Sequence, residues 1–479
     1  MLFNSLEFAL FFPIVAAIYF GLPHRLRTLH LLIASCIFYM AFIPAYILIL
    51  AITILIDYTA GIYVERSRGR ARRWLLWVSI AATCLVLFVF KYFYFFTDNF
   101  IAMTGLFGWR LTGPSIEIIL PIGLSFHTFQ SLSYVVEVYR GKQKAESNFV
   151  SYATYVMFFP QLVAGPIERP QNLLHQFHDV HRFDYERVTS GLKRMAWGFF
   201  KKLVVADRLA LYVNDVYAAP QNFNGLQLTI ATVFFAYQIY CDFSGYSDIA
   251  IGSARVLGFR LMENFERPYA SRSISEFWKR WHISLSTWFR DYVYITLGGN
   301  RVSRVRHWAN LLLTFGVSGL WHGANWTYVL WGVLNGVYLI AGESTKDTRR
   351  MLFRRVSFPG LALLGQAIAI LGTFALTCVG WIIFRAKTAG DAWYIFTHLG
   401  TNWDFSQIGT EQFLMRQMPV AVLSILILEF GQFLHSRGSL ATMVARLSLP
   451  SRWAVYSGFV LGVIMFGIYR KMQFIYFQF

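Results

Sequence analysis

Charged side chains are scarce in this chain, and negative ones are the scarcest. Only 14% of its 479 residues are charged, 25 of them acidic and 43 basic, where a typical soluble domain carries about 25%. That shortage excludes a solvated globular protein. With 56% hydrophobic residues, the chain reads as an integral membrane protein. Cysteine is nearly absent too. Cys36, Cys84, Cys241 and Cys378 lie far apart inside apolar segments, with no C-x-x-C spacing. A disulfide scaffold and a thiolate metal site are therefore not expected, and the four pack as small hydrophobes. No basic stretch precedes the first apolar segment; the first Lys or Arg is Arg25. It reads as a retained membrane helix, not a cleaved signal. The net charge of +18 comes with no nucleic-acid recognition module. It suits the cytoplasmic loops of a protein whose partner is the lipid bilayer.

A bilayer crossing takes about 20 mostly apolar residues. Such segments fall near 6–22, 29–43, 46–63, 75–96, 117–138, 149–166, 226–253, 359–384, 419–435 and 453–469, with shorter ones near 190–206, 309–322 and 324–342. The expected fold is an all-α polytopic membrane protein with eleven to thirteen crossings. It forms one domain over 1–479: N-terminal helices to 148, a core at 149–342 and C-terminal helices from 343. Basic clusters follow the first, third and fifth segments (Arg25 and Arg27; Arg66 to Arg73; Arg140 to Lys144), while the loops between carry little charge. The positive-inside rule then places the N-terminus outside.

The most informative absence lies late in the core. The thirty-six residues His307 to Gly342 contain no Asp, Glu, Lys or Arg, and His322 sits in the middle of them. An ionisable group in such surroundings is a functional candidate. A helix through the whole stretch would be about 54 Å long at about 1.5 Å per residue, against a hydrocarbon core of about 30 Å. The stretch must break, and Gly319 and Gly323 flank the histidine. Irregular backbone at that depth survives where it is buried or lines a wet cavity, so His322 is expected beside one.

Upstream, Arg255 to Arg306 mixes ten basic and four acidic residues with many aromatics. Trp278, Trp281, Leu285, Trp288 and Tyr292 recur at helical spacing there, with Lys279, Arg280, Arg290 and Asp291 off the stripe. This predicts an amphipathic helix at the membrane surface, and it carries His282. Asp242 and Asp248 lie in an apolar helix, where they could orient a histidine, accept from arginines or cap a break at Gly245; a structural role is expected. His127 is a further intramembrane histidine, read as structural. His175, His178 and His181 are spaced like a metal cluster but have no completing ligand, so no metal is expected.

Several motifs together resemble one family. They are F-F-P-Q-L-V-A-G-P-I at 158–167, Y-C-D-F-S-G-Y-S-D-I-A-I-G at 240–252 and E-N-F-E-R-P-Y at 263–269. The run S-I-S-E-F-W-K-R-W-H-I-S-L-S-T-W-F-R-D-Y at 273–292, L-G-G-N-R at 297–301 and G-L-W-H-G-A-N-W at 319–326 complete the set. In this order they resemble the membrane-bound O-acyltransferases, in particular the alginate O-acetyltransferase subunits and their D-alanyl-transferring relatives. The resemblance implies a ring of tilted helices around a thin centre where two funnels nearly meet. It implies His322 as the essential histidine and His282 as its companion. Position 127, where the family is expected to carry an aromatic, is histidine here.

The implied activity is O-acyl transfer from a cytoplasmic thioester such as acetyl-CoA toward an extracytoplasmic polysaccharide, in a bacterial inner membrane. A periplasmic or extracellular acetyltransferase partner would complete the transfer. His322 would act as base, since an unperturbed histidine titrates near neutrality. His282 would position the donor or polarise its carbonyl. Arg280 and Arg290 would contact donor phosphates. Trp281, Ser284, Asp291, Trp321, Asn325, Asp242 and Asp248 are expected at or just behind the site. Peptidoglycan acetylation and D-alanyl transfer are alternatives within the class. A secondary transporter or flippase is the alternative outside it, but transporters commonly carry internal repeats, and none is found here.

Overall fold

Helices and turns build the computed structural model. It describes residues 1–113, 118, 120–348, 351, 359–404, 416–437, 440–469 and 474–475, and among these there is no strand. The N-terminal part is α1 (Leu6–Gly21), α2 (His24–Met40), α3 (Tyr46–Arg66), α4 (Gly69–Leu87) and α5 (Phe93–Gly105). A π-helical turn, Phe88–Tyr92, joins α4 to α5 without a break. Next come α6 (Leu124–Tyr139), α7 (Phe149–Met157), α8 (Phe159–Leu162), α9 (Pro170–Leu173), α10 (Tyr185–Phe199) and α11 (Asp207–Ala218). The 33-residue α12 (Gly225–Leu257) opens on a capping box of Asn224 and Gln227 and closes on Gly258 at φ 106°, the usual left-handed helix stop. After it lie α13 (Ile274–Arg280), α14 (Ile283–Phe289), α15 (Arg304–His322) and α16 (Trp326–Ser344). The chain finishes with α17 (Pro359–Arg385), α18 (Ala389–His398), α19 (Met418–Arg437), α20 (Leu440–Ala445) and α21 (Leu449–Phe466).

Five described helices are long and apolar enough to cross a bilayer unaided: α3, the continuous α4–α5 rod, Leu363–Arg385 of α17, α19 and α21. The eleven to thirteen crossings expected also count central helices that fall short of this length and apolarity. The central helices are shorter or more polar because other helices, not lipid, surround them. α12 alone buries Gln238, Asp242, Ser244, Ser247 and Asp248. Two predicted segments are also cut. Among the described residues the segment at 117–138 is helical from Leu124, after Pro121 and Gly123, and that at 149–166 stops at Met157 and restarts for one turn.

Close backbone contacts set the central packing. A Cβ on Gly191 or Gly198 of α10 would lie 2.7 or 2.6 Å from the carbonyl of Gly252 or Gly245 of α12. The two pairs, seven residues apart on each helix, form an antiparallel ladder that only small residues permit. The hairpin of α15 and α16 is equally tight: a Cβ on Gly319 would strike the Tyr328 carbonyl, and one on Gly332 that of Phe315.

Beside the ladder, a second π-helical turn, Phe200–Ala206, carries two buried lysines. Lys202 pairs with Asp242 at 2.6 Å and Asp207 at 2.8 Å, and Lys201 with Asp248 at 2.7 Å. Arg194 reaches Asp248 at 3.0 Å. Asp242 also accepts from the Ile475 amide at 2.8 Å. The two aspartates thus fasten α10 and the C-terminal segment to α12. They cap no break, because α12 runs unbroken through Gly245.

The predicted amphipathic helix over 273–292 is also corrected. It is two short helices, broken at His282, whose backbone is left-handed at φ 42°. Its stripe is buried in protein: Trp281, Leu285 and Trp288 lie in the core, and Trp278 donates to Asn335 of α16 at 3.2 Å.

The ladder supplies a test. Gly245→Val should destabilise the fold by about 1–3 kcal/mol or more through overpacking. Gly458→Ala on α21, where a Cβ meets nothing within 4 Å, should leave the melting temperature in detergent unchanged. Equal melting temperatures for the two variants would refute the ladder.

Candidate active site

The thirty-six-residue uncharged stretch breaks beside its histidine. α15 ends at His322, Gly323 is extended, and α16 starts at Trp326 under the side-chain cap of Asn325. Gly319, the other expected break, stays helical because the hairpin needs its small size. His322 is buried, with its ring among Trp321 at 4.9 Å, Trp331 at 5.0 Å and Phe384 at 5.5 Å between centroids.

His282 is also fully buried. A non-glycine residue at positive φ is strained and persists only where its surroundings fix it. Asn264 does the fixing. Its Oδ1 lies 3.1 Å from His282 Nδ1 and accepts from Ser284 Oγ at 2.9 Å and from the Ser284 amide at 3.3 Å. Its backbone carbonyl accepts from the Ile283 amide at 2.9 Å. Since Oδ1 is an acceptor, neutral His282 carries its proton on Nδ1 and keeps Nε2 as the basic nitrogen.

Trp321 touches both histidines. Its ring centroid is 4.9 Å from that of His322 and 6.4 Å from that of His282, so the two imidazole centres are at most 11.3 Å apart. The indole stacks on Phe129 at 5.1 Å, and Phe129 stacks on Trp288 at 3.8 Å. That aromatic column joins α15, α6 and α14. A cavity of about 90 Å³ opens against His322, lined by Lys91, Gly123, Ser125, Phe126, Val163 and Trp321 among others. It has the polar wall that the helix break implied. Lys91 Nζ donates to the carbonyls of Trp321 at 2.6 Å and His322 at 3.2 Å.

The membrane-bound O-acyltransferase family model matches residues 141–384. The chain is 38% identical over 440 residues to a probable alginate O-acetylase of Pseudomonas aeruginosa, covering 90% of this chain and 81% of that one. This chain belongs to the membrane-bound O-acyltransferase family. It is an O-acyltransferase. A peptidoglycan O-acetyltransferase of Helicobacter pylori is 33% identical over 393 residues, 76% of this chain and 72% of its own. A teichoic acid D-alanyltransferase of Streptococcus thermophilus is 26% identical over 291 residues, 57% and 70% respectively.

The acyltransferase brings together only some of the residues singled out in its sequence. His282, Ser284, Trp321 and His322 converge. Trp281 turns away to pack on Trp381 at 4.9 Å. Asn325 is exposed and caps α16 by accepting from Thr327. Asp291 pairs with Arg290 at 2.7 Å and Arg169 at 3.5 Å, and Arg280 with Glu276 at 2.6 Å. Asp242 and Asp248 belong to the ion-pair cluster beside the ladder. His127 is buried on α6, with neither ring nitrogen bonded to a described residue. It does not line the cavity; Ser125 and Phe126 do. Of the histidine triplet, His178 meets Glu146 at 2.9 Å, while His175 and His181 line a separate recess of about 620 Å³ with Arg187 and Arg260. Among the described residues no cluster could hold a metal.

Asn264 and Lys91 are the residues missed. Asn264 lay inside a quoted motif, and Lys91 is a charge inside an apolar run, a signal as strong as that of His322. Removing Asn264 orphans buried groups at about 1–3 kcal/mol each. Asn264→Ala should therefore lower the melting temperature and reduce acyl transfer at least tenfold. A variant with the melting temperature and turnover of the wild type would show that the strained turn needs no such brace.

Proposed function

We propose that this acyltransferase moves an acetyl group from a cytoplasmic thioester, acetyl-CoA or a similar donor, toward hydroxyls of an extracytoplasmic polysaccharide such as alginate or a related exopolysaccharide. The observation that carries the reading is the pair of buried histidines on one indole, with a polar cavity at His322. The names of the relatives supply the acyl and acceptor classes; peptidoglycan and D-alanyl relatives mark the alternatives within the same chemistry.

His322 takes the hydroxyl proton as the acceptor oxygen attacks the thioester carbonyl. The new C–O bond forms, the C–S bond breaks, and the proton passes to the departing thiolate, giving ester and free thiol. His282 serves the donor side. Polarising a carbonyl would need an N–H at Nε2, whereas the Asn264 contact keeps the proton on Nδ1. Positioning the donor by accepting its hydrogen bond is the role this tautomer favours. Arg280 and Arg290, both partly exposed, remain the proposed contacts for donor phosphates. The protein sits in the bacterial inner membrane with its N-terminus outside and basic loops within, and a periplasmic or extracellular acetyltransferase partner carries the group on to sugar.

Purified protein in lipid, given radiolabelled acetyl-CoA, tests the scheme. Thioester loss should be at least 10²-fold slower in His322→Ala, the order contributed by a positioned base. Full turnover in that variant would remove His322 from the base role. No turnover in the wild type, with the external partner supplied, would point to another donor.

A further inference from the structure

The cavity wall carries a cation to which the proposed chemistry gives no part. Lys91 lies in the π-helical turn Phe88–Tyr92, within the 37-residue apolar rod Gly69–Gly105. A lysine in such a run is costly and needs a partner. Its partners are mostly backbone. Nζ donates to Trp321 O at 2.6 Å and His322 O at 3.2 Å, with Ser125 Oγ at 3.4 Å. The next residue, Tyr92, donates its hydroxyl to Leu320 O at 3.1 Å.

Leu320, Trp321 and His322 are the last three residues of α15. The final carbonyls of a helix have no intrahelical donor, and lipid supplies none. Two adjacent side chains from one turn thus satisfy three successive carbonyls. In an α-helix neighbouring side chains diverge by about 100°; the wider i→i+5 turn changes that register, and such turns cluster at functional sites. The ammonium also stands at the negative end of the α15 dipole.

We propose that Lys91, with Tyr92, is a positioning residue for His322, holding the backbone of the turn from which the imidazole projects. This rests on the reading of His322 as the base. Trp331 and Phe384 confine the ring from its sides, while Lys91 and Tyr92 hold the main chain behind it. Without them the last turn of α15 loses its donors and the imidazole shifts; a displacement of about 1 Å costs about 10²-fold in rate.

The test is thioester turnover by Lys91→Met, Lys91→Arg, Tyr92→Phe and His322→Ala in lipid, with melting temperatures alongside. Lys91→Met should lower kcat by about 10²-fold with KM for the thioester unchanged. Lys91→Arg, which can still donate to two carbonyls, should recover most of that loss. Tyr92→Phe should show a smaller drop, again in kcat. A folded Lys91→Met with the kcat of the wild type, or with its defect wholly in KM, overturns the proposal. If Lys91→Met does not fold, Tyr92→Phe decides: lowered kcat at constant KM supports the role and unchanged kcat overturns it. An inactive His322→Ala beside a normal Lys91→Met sinks only this inference. A fully active His322→Ala sinks the base assignment and this inference with it.

Discussion

Lipid offers no hydrogen bonds, so a helix that stops inside a bilayer must find partners for its terminal groups within the protein. This acyltransferase interrupts its backbone at three places, two of them, at Gly123 and His322, on the wall of one small cavity. α6 starts from Gly123 at φ 78°, α13 gives way to α14 at His282, and α15 stops at His322. Each interruption frees a side chain or opens space that a continuous helix would fill. At the last two, side chains supply what the chain gives up: Asn264 at the His282 turn, Lys91 and Tyr92 at the His322 turn. Apolar helices such as α3, α19 and α21 face outward, and the polar, broken ones are kept behind them.

Packing around these breaks relies on two kinds of residue at opposite extremes of size. Glycines let α10 meet α12, and α15 meet α16, at backbone distance. Indoles and phenyl rings fill the angles left over, as in the column Trp288, Phe129 and Trp321. The buried pairs of Lys201 and Lys202 with Asp248 and Asp242 contribute differently. Burying such charges costs about as much as their attraction returns; in place they tie the π-helical turn after α10 to α12.

Much of this was legible in the chain. The uncharged stretch around His322, its excess length over a bilayer and the adjacent glycines located both the break and the cavity. The tryptophan-histidine motifs named the family. What stayed hidden was three-dimensional. Periodicity presented 273–292 as one helix, because the buried stripe keeps its spacing even though His282 bends the path; nothing local announces a left-handed histidine held by an asparagine eighteen positions away. Asp242 and Asp248 were legible as structural carboxylates, and Arg194 does reach Asp248, but their lysine partners lie on a π-helical turn no periodicity marks. Hydropathy alone also does not tell a helix facing lipid from one wrapped in other helices, and only five described helices are long and apolar enough to cross unaided. Lys91 was visible as an isolated charge, yet its meaning depends on carbonyls more than two hundred residues downstream.

The short separation of the two imidazoles, at most 11.3 Å between centres, has an electrical consequence. A hydrocarbon core is about 30 Å thick. On the proposed reading, in which donor and acceptor reach the two histidines from opposite sides, most of the transmembrane voltage would drop across roughly a third of that thickness. An acetyl group is neutral and crosses such a field without work. A D-alanyl group carries an ammonium, and moving one positive charge outward against an inside-negative potential costs about 2.3 kcal/mol per 100 mV. The same scaffold would therefore pass acetyl groups at a rate indifferent to the energised state of the membrane, and charged acyl groups at a rate that follows it.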